Sequence, residues 1–226
     1  MKKIISFLCM AIIATAFHVN AQEAAKSSST AKSKDKIVQL TTDYGTMKIK
    51  LYNETPKHRD NFIKLASEGF YNGTLFHRVI KTFMLQGGDP DSKNAPAEKQ
   101  LGSGSNGSTV PAEFNDAFIH KKGALAAART ENPTKASSDC QFYIVQGKPV
   151  TDEELNSIES RTGKKYTPEQ RAVYKATGGT PFLDHSYTVY GEVIEGMDVI
   201  DKIAAAQTKP GDRPVKDIKM TMKVIQ

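Results

Sequence analysis

The run Ile37-Val38-Gln39-Leu40-Thr41-Thr42-Asp43-Tyr44-Gly45-Thr46-Met47-Lys48-Ile49-Lys50-Leu51-Tyr52 sets the fold class of this chain. Its first six residues favour extended backbone, and its last seven alternate Met47, Ile49 and Leu51 with polar side chains. Asp43-Tyr44-Gly45 between them supplies a short turn. The pattern predicts a hairpin with one buried face. Just beyond it, Thr55 followed by Pro56 reads as an N-cap with proline at the first helical position. Phe62, Ile63, Leu65 and Ala66 then recur at helical spacing until Gly69 ends the turn. One amphipathic helix therefore packs on the sheet.

Further along, short strand-like runs recur at Thr74 to Ile80, Met84 to Gln86, Ala124 to Ala128, Gln141 to Gln146 and Thr188 to Val193. A second helix is expected from Met197 to about Ala206, with Val199, Ile200, Ile203 and Ala204 on one face, and the tail from Ile218 to Ile225 alternates again. Many short strands, few helices and glycine-rich connections point to a mainly β barrel or sandwich of antiparallel strands rather than a βαβ repeat. Two stretches interrupt the rhythm. Pro90 to Val110, with Gly102-Ser103-Gly104-Ser105-Asn106-Gly107, is a long polar loop. Lys148 to Gly179 carries two helix starts, Thr151-Asp152-Glu153-Glu154 and Thr167-Pro168-Glu169-Gln170, and reads as a helical insertion between strands.

Toward the N-terminus, Met1-Lys2-Lys3 precedes an apolar run from Ile4 to Phe17 and then His18-Val19-Asn20-Ala21, the three parts of a secretory signal cleaved after Ala21. An apolar run of about 14 residues falls short of the ~20 that span a bilayer, so no stable membrane insertion is expected after cleavage. Residues 22–35, rich in Ala, Ser, Thr and Lys, offer little to bury and are read as a disordered linker. Residues 36–226 are then a single domain. Loss of residues 1–21 lowers the net charge from +6 to +4 and removes Cys9, leaving Cys140 without a disulfide partner. No basic stripe with interleaved aromatics marks a nucleic-acid surface. No metal-spaced His/Cys cluster or paired catalytic carboxylates stand out, and no cofactor is expected.

The segment Phe76-His77-Arg78-Val79-Ile80-Lys81-Thr82-Phe83-Met84-Leu85-Gln86-Gly87-Gly88-Asp89-Pro90 resembles the cyclophilins, the peptidyl-prolyl isomerase family. Further motifs follow in the family's order: Gly123-Ala124-Leu125-Ala126-Ala127-Ala128, then Cys140-Gln141-Phe142-Tyr143-Ile144 and Phe182-Leu183-Asp184. Tyr187-Thr188-Val189-Tyr190-Gly191-Glu192-Val193 and Glu195-Gly196-Met197-Asp198-Val199 complete the set. The resemblance implies a single closed antiparallel β-barrel of about eight strands capped by two helices. It also implies an enzyme that turns X–Pro bonds of proline-containing peptides and unfolded exported proteins, acting as a monomer. Combined with the signal, this points to a soluble periplasmic product that assists folding.

By the same resemblance Arg78 is the catalytic residue. Phe83, Met84, Tyr143 and Leu183 line the proline pocket, with Gln86 and Gln141 orienting the peptide backbone. Ala128 and Arg129 also border the substrate, and Phe182 and Tyr187 sit on the rim. Arg129 is expected to meet substrate through its backbone, its side chain favouring acidic residues nearby. His77 is expected to make a structural hydrogen bond, and His58, His120 and His185, which share no spacing, are read as structural or solvated. Glu113 belongs to the framework. Phe182, Tyr187, Tyr143 and Arg129 stand where well-known eukaryotic cyclophilins carry Trp, His, Phe and Asn, and the missing indole N–H predicts weak cyclosporin binding. A chaperone that holds proline segments without turnover is the competing reading. A hydrolase built on Cys140 would need a paired base, and none is recognisable.

Overall fold

The computed structural model of the chain describes residues 35–226. The expected signal at 1–21 and all but the last residue of the expected linker at 22–35 lie outside the described residues. In chain order the elements are β1 (Lys36–Thr42), β2 (Gly45–Leu51), α1 (Pro56–Ser67), β3 (Phe76–Ile80), β4 (Met84–Gly87), β5 (Thr109–Val110), β6 (Ala124–Ala127), β7 (Ser137–Ser138) and β8 (Phe142–Val145). They continue with α2 (Asp152–Thr162), α3 (Pro168–Thr177), β9 (Val189–Glu195), α4 (Met197–Ala204) and β10 (Thr221–Val224). β1 and β2 form the expected hairpin, Leu40 opposite Met47 and Val38 opposite Ile49, all four fully buried.

Eight strands form one antiparallel sheet in the order β10-β1-β2-β9-β6-β8-β4-β3, and the short β5 and β7 pair separately. The sheet curls but is not the closed barrel expected from the sequence. β3 and β10 stand at its two ends with no ladder between them, and the residues leading into them meet at a single bridge, Leu75 with Lys219. The overlap falls on these run-ins because β10 keeps only four ladder residues of the longer alternating tail. Backbone bonds from Phe76 to Ile218 (3.0 Å), Met220 to Thr74 (2.9 Å) and Gly73 to Met220 (2.9 Å) nevertheless satisfy edge groups that would otherwise invite another strand.

Strand periodicity then separates two apolar clusters. Phe142 and Ile144 of β8, Leu125 and Ala127 of β6, and Leu85 of β4 point into the main core, where α1 contributes Phe62, Leu65 and Ala66 and α4 contributes Val199, Ile200 and Ile203. The intervening residues Tyr143, Val145, Ala124, Ala126 and Met84 point to the opposite face and gather with Phe83, Leu183 and Tyr187. These strands are therefore buried on both faces.

The expected cap of α1 is different in kind. Thr55 makes no side-chain cap bond, its hydroxyl donating instead to the Tyr52 carbonyl (3.4 Å). The first free N–H groups of the helix, on Lys57 and His58, donate to the two carboxylate oxygens of Glu113, each at 3.0 Å. Both insertion helices, by contrast, start with reciprocal capping boxes, Thr151 with Glu154 and Thr167 with Gln170. The insertion leaves and rejoins the sheet at adjoining points, since Gly179 N–H donates to the Lys148 carbonyl (3.0 Å). Gly147, at φ 64°, lies so close to Gly179 that a Cβ there would stand 2.4 Å from the Gly179 Cα. Val150, Leu155 and Tyr174, with Ile119 and Tyr166 against them, form its small core.

Candidate active site

Register lays the site out as a row across four strands. Arg78 on β3 lies opposite Gln86 on β4, Gln86 opposite Tyr143 on β8, and Tyr143 opposite Ala126 on β6. The alternation that sends Phe142 inward sends Tyr143 outward, and the alanines of β6 leave space that larger side chains would fill. Around this row opens a cavity of about 140 Å³, bordered by Arg78, Phe83, Met84, Gln86, Ala128, Arg129, Tyr143, Leu183 and Tyr187. Nine of the eleven expected site residues thus surround one space. Its dimensions suit a single small ring, walled by apolar groups with a guanidinium at one side.

Each polar member is held by a named partner. Arg78 Nε donates to Asp212 Oδ2 (3.3 Å), which fixes the near edge of the guanidinium, while its terminal nitrogens have no partner among the described residues. Asp212 itself sits at φ 68° and its carbonyl accepts from Val79 N–H (2.8 Å), so the loop is bonded to the same strand twice. Arg213 anchors this loop further: it is buried, pairs with Asp217 (2.9 Å), and donates to the carbonyls of Pro96 (2.9 Å) and Lys99 (3.0 Å). Nothing in the local sequence marked Asp212 or Arg213, which lie more than 130 residues from Arg78 and join it only through the fold.

The two glutamines divide their work. Gln141 is only 6% exposed and does not border the cavity. Its amide nitrogen donates to the carbonyls of Gly102 (3.0 Å) and Gly104 (2.8 Å), and its oxygen accepts from Gln86 Nε2 (3.0 Å). Its side chain is therefore spent on orienting Gln86, which itself borders the cavity. The glycine-rich loop supplies these carbonyls and is tied down by buried Asp89, which accepts from the N–H of Gly102 and of Asp91. At Gly104 a Cβ would overlap the Asp89 carboxylate, so the close approach requires glycine.

Phe182, the second expected residue away from the cavity, is 56% exposed and stacks on Phe83 with ring centroids 5.8 Å apart. Arg129 lies over the Tyr187 ring at 4.7 Å and donates to the Ser186 carbonyl (3.0 Å), so its side chain steadies the rim. Tyr187 in turn meets Tyr143 edge-on at 5.9 Å.

Beneath the cavity runs a buried chain of hydrogen bonds that joins it to the insertion. His120 donates through Nδ1 to Asp184 Oδ1 (2.6 Å), which makes Nε2 the acceptor for the Tyr143 hydroxyl (2.9 Å). Asp184 Oδ2 accepts from Tyr174 (2.6 Å) and Tyr166 (2.9 Å), both in the insertion. Burial pushes the Tyr143, Tyr166 and Tyr174 phenols well above their ordinary range, so each is a donor at neutral pH. His120 is structural, as one of its sequence readings had it.

His77 departs from expectation. It is buried, yet among the described residues neither ring nitrogen meets a partner at hydrogen-bond geometry, and burial pushes its pKa down to about 4. His58 bonds Glu113 (2.7 Å) and Ser137 (3.0 Å); burial lowers its pKa against the opposing pull of Glu113. His185 is half-exposed beside Asp116 (3.2 Å). Burial pushes the Cys140 thiol up to about 11, which leaves it protonated and a poor nucleophile at neutral pH.

Comparisons with known proteins bear on the family and the fold. The family model for cyclophilin type peptidyl-prolyl cis-trans isomerases matches residues 37–224. A protein of Staphylococcus saprophyticus named for peptidyl-prolyl cis-trans isomerase activity is 38% identical over 180 residues, 79% of this chain and 86% of that one. The crystal structure of a Cryptosporidium parvum cyclophilin type peptidyl-prolyl cis-trans isomerase superposes with a TM-score of 0.62 at 22% identity, covering 85% of this chain and 98% of that one. A structure of that protein in the presence of the dipeptide Ala-Pro gives 0.59 at 22% identity, covering 84% and 99%. The two structures speak for the fold, and the family match and the relative speak for the activity. The chain belongs to the cyclophilin-type peptidyl-prolyl cis-trans isomerases and is an enzyme of that class.

Proposed function

We propose that the chain isomerises X–Pro bonds of exported proteins and so assists their folding, working as a soluble monomer in the periplasm. Arg78 is the catalytic residue in this reading, and Phe83, Met84, Tyr143 and Leu183 receive the prolyl ring. The amide resists rotation because nitrogen shares its lone pair with the carbonyl, a barrier of about 18–20 kcal/mol. As the bond twists, the lone pair localises on nitrogen. A donor aimed there bonds more strongly in the twisted state than in either planar one, and the difference lowers the barrier. The pocket holds the ring while the acyl side turns, and Gln86, Ala128 and Arg129 border the peptide. Gln141 acts through Gln86.

The observation that carries this reading is the row Arg78–Gln86–Tyr143, which sets a guanidinium whose terminal nitrogens have no partner among the described residues beside a cavity of about 140 Å³ with Phe83, Met84 and Leu183 in its wall. A relative of the same fold solved with Ala-Pro fits a small prolyl ligand. The export part rests on the leader sequence at residues 1–21. The site test is the isomerisation rate of an X–Pro tetrapeptide by residues 22–226 beside Arg78→Ala, with peptide affinity measured in both. Loss of one transition-state donor is expected to cost about 10²–10³ in rate while peptide still binds. An unchanged rate would remove Arg78 from catalysis, and a well-folded protein that binds without accelerating would be a holder of proline segments. For export, expression of the full chain with fractionation and N-terminal sequencing is expected to find a soluble product starting at Gln22.

A further inference from the structure

A second cavity, about 610 Å³, opens next to the proline pocket on the far side of Phe182. Its floor is apolar, built from Val150, Ile158, Pro181 and the outer surface of Phe182, and one wall is the exposed side of α2. Its charged groups balance: Lys148 pairs with Glu154 (2.7 Å), and Glu153 and Arg161 stand on the rim with opposite signs. The cavity therefore selects by apolar fit more than by charge.

The walls of the two spaces adjoin. Phe182 stacks on Phe83, which borders the proline pocket, and Pro181, Phe182 and Leu183 form one 3-10 turn with Leu183 on the proline side and Pro181 on the other. Phe182 thus stands between the second cavity, which it lines, and Phe83, which borders the proline pocket. That placement accounts for a large apolar ring left 56% exposed. We propose that this cavity is an extended subsite, made by the helical insertion, for a large apolar side chain of the same peptide whose proline occupies the neighbouring pocket. The inference rests on the proline site described above. Extended chain advances at most about 3.5 Å per residue, and clearing the Phe83–Phe182 pair to the middle of the cavity takes on the order of 10 Å, so the side chain belongs roughly two to four residues from the proline.

The test uses residues 22–226 and a panel of X–Pro peptides with alanine flanks, carrying a single leucine at each position from two to four residues on either side of the proline. At one of these positions, leucine is expected to raise kcat/KM about five- to tenfold over alanine. Ser157 lines the new cavity on an exposed face of α2 and does not line the proline pocket, so Ser157→Trp fills the space without disturbing the core. This variant is expected to keep the all-alanine rate and its melting temperature while losing the leucine preference. Equal rates across the panel, or a preference that survives Ser157→Trp, would overturn the subsite. If no peptide is isomerised, the isomerase reading fails by itself. Titrated affinities of the same panel then decide the subsite: leucine preference lost in Ser157→Trp supports it, and equal affinities overturn it.

Discussion

Among the described residues Arg78 is bonded through Nε alone, and this decides how much its partner can matter. The Arg78–Asp212 pair is exposed on both sides, about two-fifths of each side chain, and such pairs contribute up to roughly 1 kcal/mol. Asp212→Asn keeps a residue that tolerates the left-handed backbone at φ 68° and removes only the charge. Its expected effect is a two- to fivefold fall in kcat with little change in KM, far below the loss from Arg78→Ala, and steady-state kinetics on one tetrapeptide separate the two. Glu113 is the opposite case, since its carboxylate accepts two helix N–H groups and the His58 ring together. Burial pushes its pKa up, but the bonds from His58 and Lys57 outweigh that and hold it below the ordinary range. Glu113→Ala is expected to cost about 2–4 kcal/mol of stability, read as a shift in urea midpoint, because two helix donors and a buried imidazole lose a charged acceptor. Sequence alone pointed to Thr55 for this task, because cap rules are local. Glu113 lies more than 50 residues from the helix N–H groups it caps.

Elements were legible where their signal is carried within a few residues. The hairpin, the two capping boxes of the insertion and the α4 face all follow from periodicity and caps, and the structure realises them within one or two residues of their expected ends. What joins elements was not legible. The open ends of the sheet depend on how few residues of the tail β10 keeps in the ladder, and the line from Tyr143 through His120 and Asp184 to Tyr166 and Tyr174 draws on four separate segments. That line makes the insertion part of the support beneath the cavity. Tyr174→Phe removes a donor from a buried carboxylate that retains Tyr166, and is expected to cost about 1–3 kcal/mol of stability. It should also lower kcat/KM by a few-fold, because Tyr143 is then less firmly held. Amide exchange of the His120 N–H, which donates to the same carboxylate (2.9 Å), is expected to quicken in this variant. An unaltered exchange rate would mean that Tyr166 alone suffices to fix Asp184.

At the scale of the whole molecule, the buried imidazoles give stability a definite pH dependence. His77 is neutral in the fold with its pKa near 4, against about 6.5 in the unfolded chain, and the leading cause is burial. The neighbouring Asp89 pulls the value up, and Arg78 and Arg213 push it down. Because the folded value is depressed, the unfolded chain binds the proton first. Stability is therefore fully present above pH 6.5 and is lost progressively as pH falls toward 4, by roughly 3 kcal/mol from this residue. His58, also held below its ordinary value, adds a loss of the same sign. Against a total stability on the order of 5–15 kcal/mol, the loss is large enough to show in urea unfolding at pH 7.5, 6.0 and 5.0. His77→Leu replaces two ring nitrogens that have no hydrogen-bond partner among the described residues by a side chain of similar bulk. It is expected to unfold at the same or a higher urea concentration at pH 7.5 and to lose most of the decline between pH 6.5 and 4.5. Carboxylates held by ion pairs, such as Glu192 between Lys50 and Lys121, begin to fail only below that window. A decline that persists undiminished in His77→Leu would assign it to His58 and its bond to Glu113, which places the acid-sensitive point at the start of α1 rather than on β3.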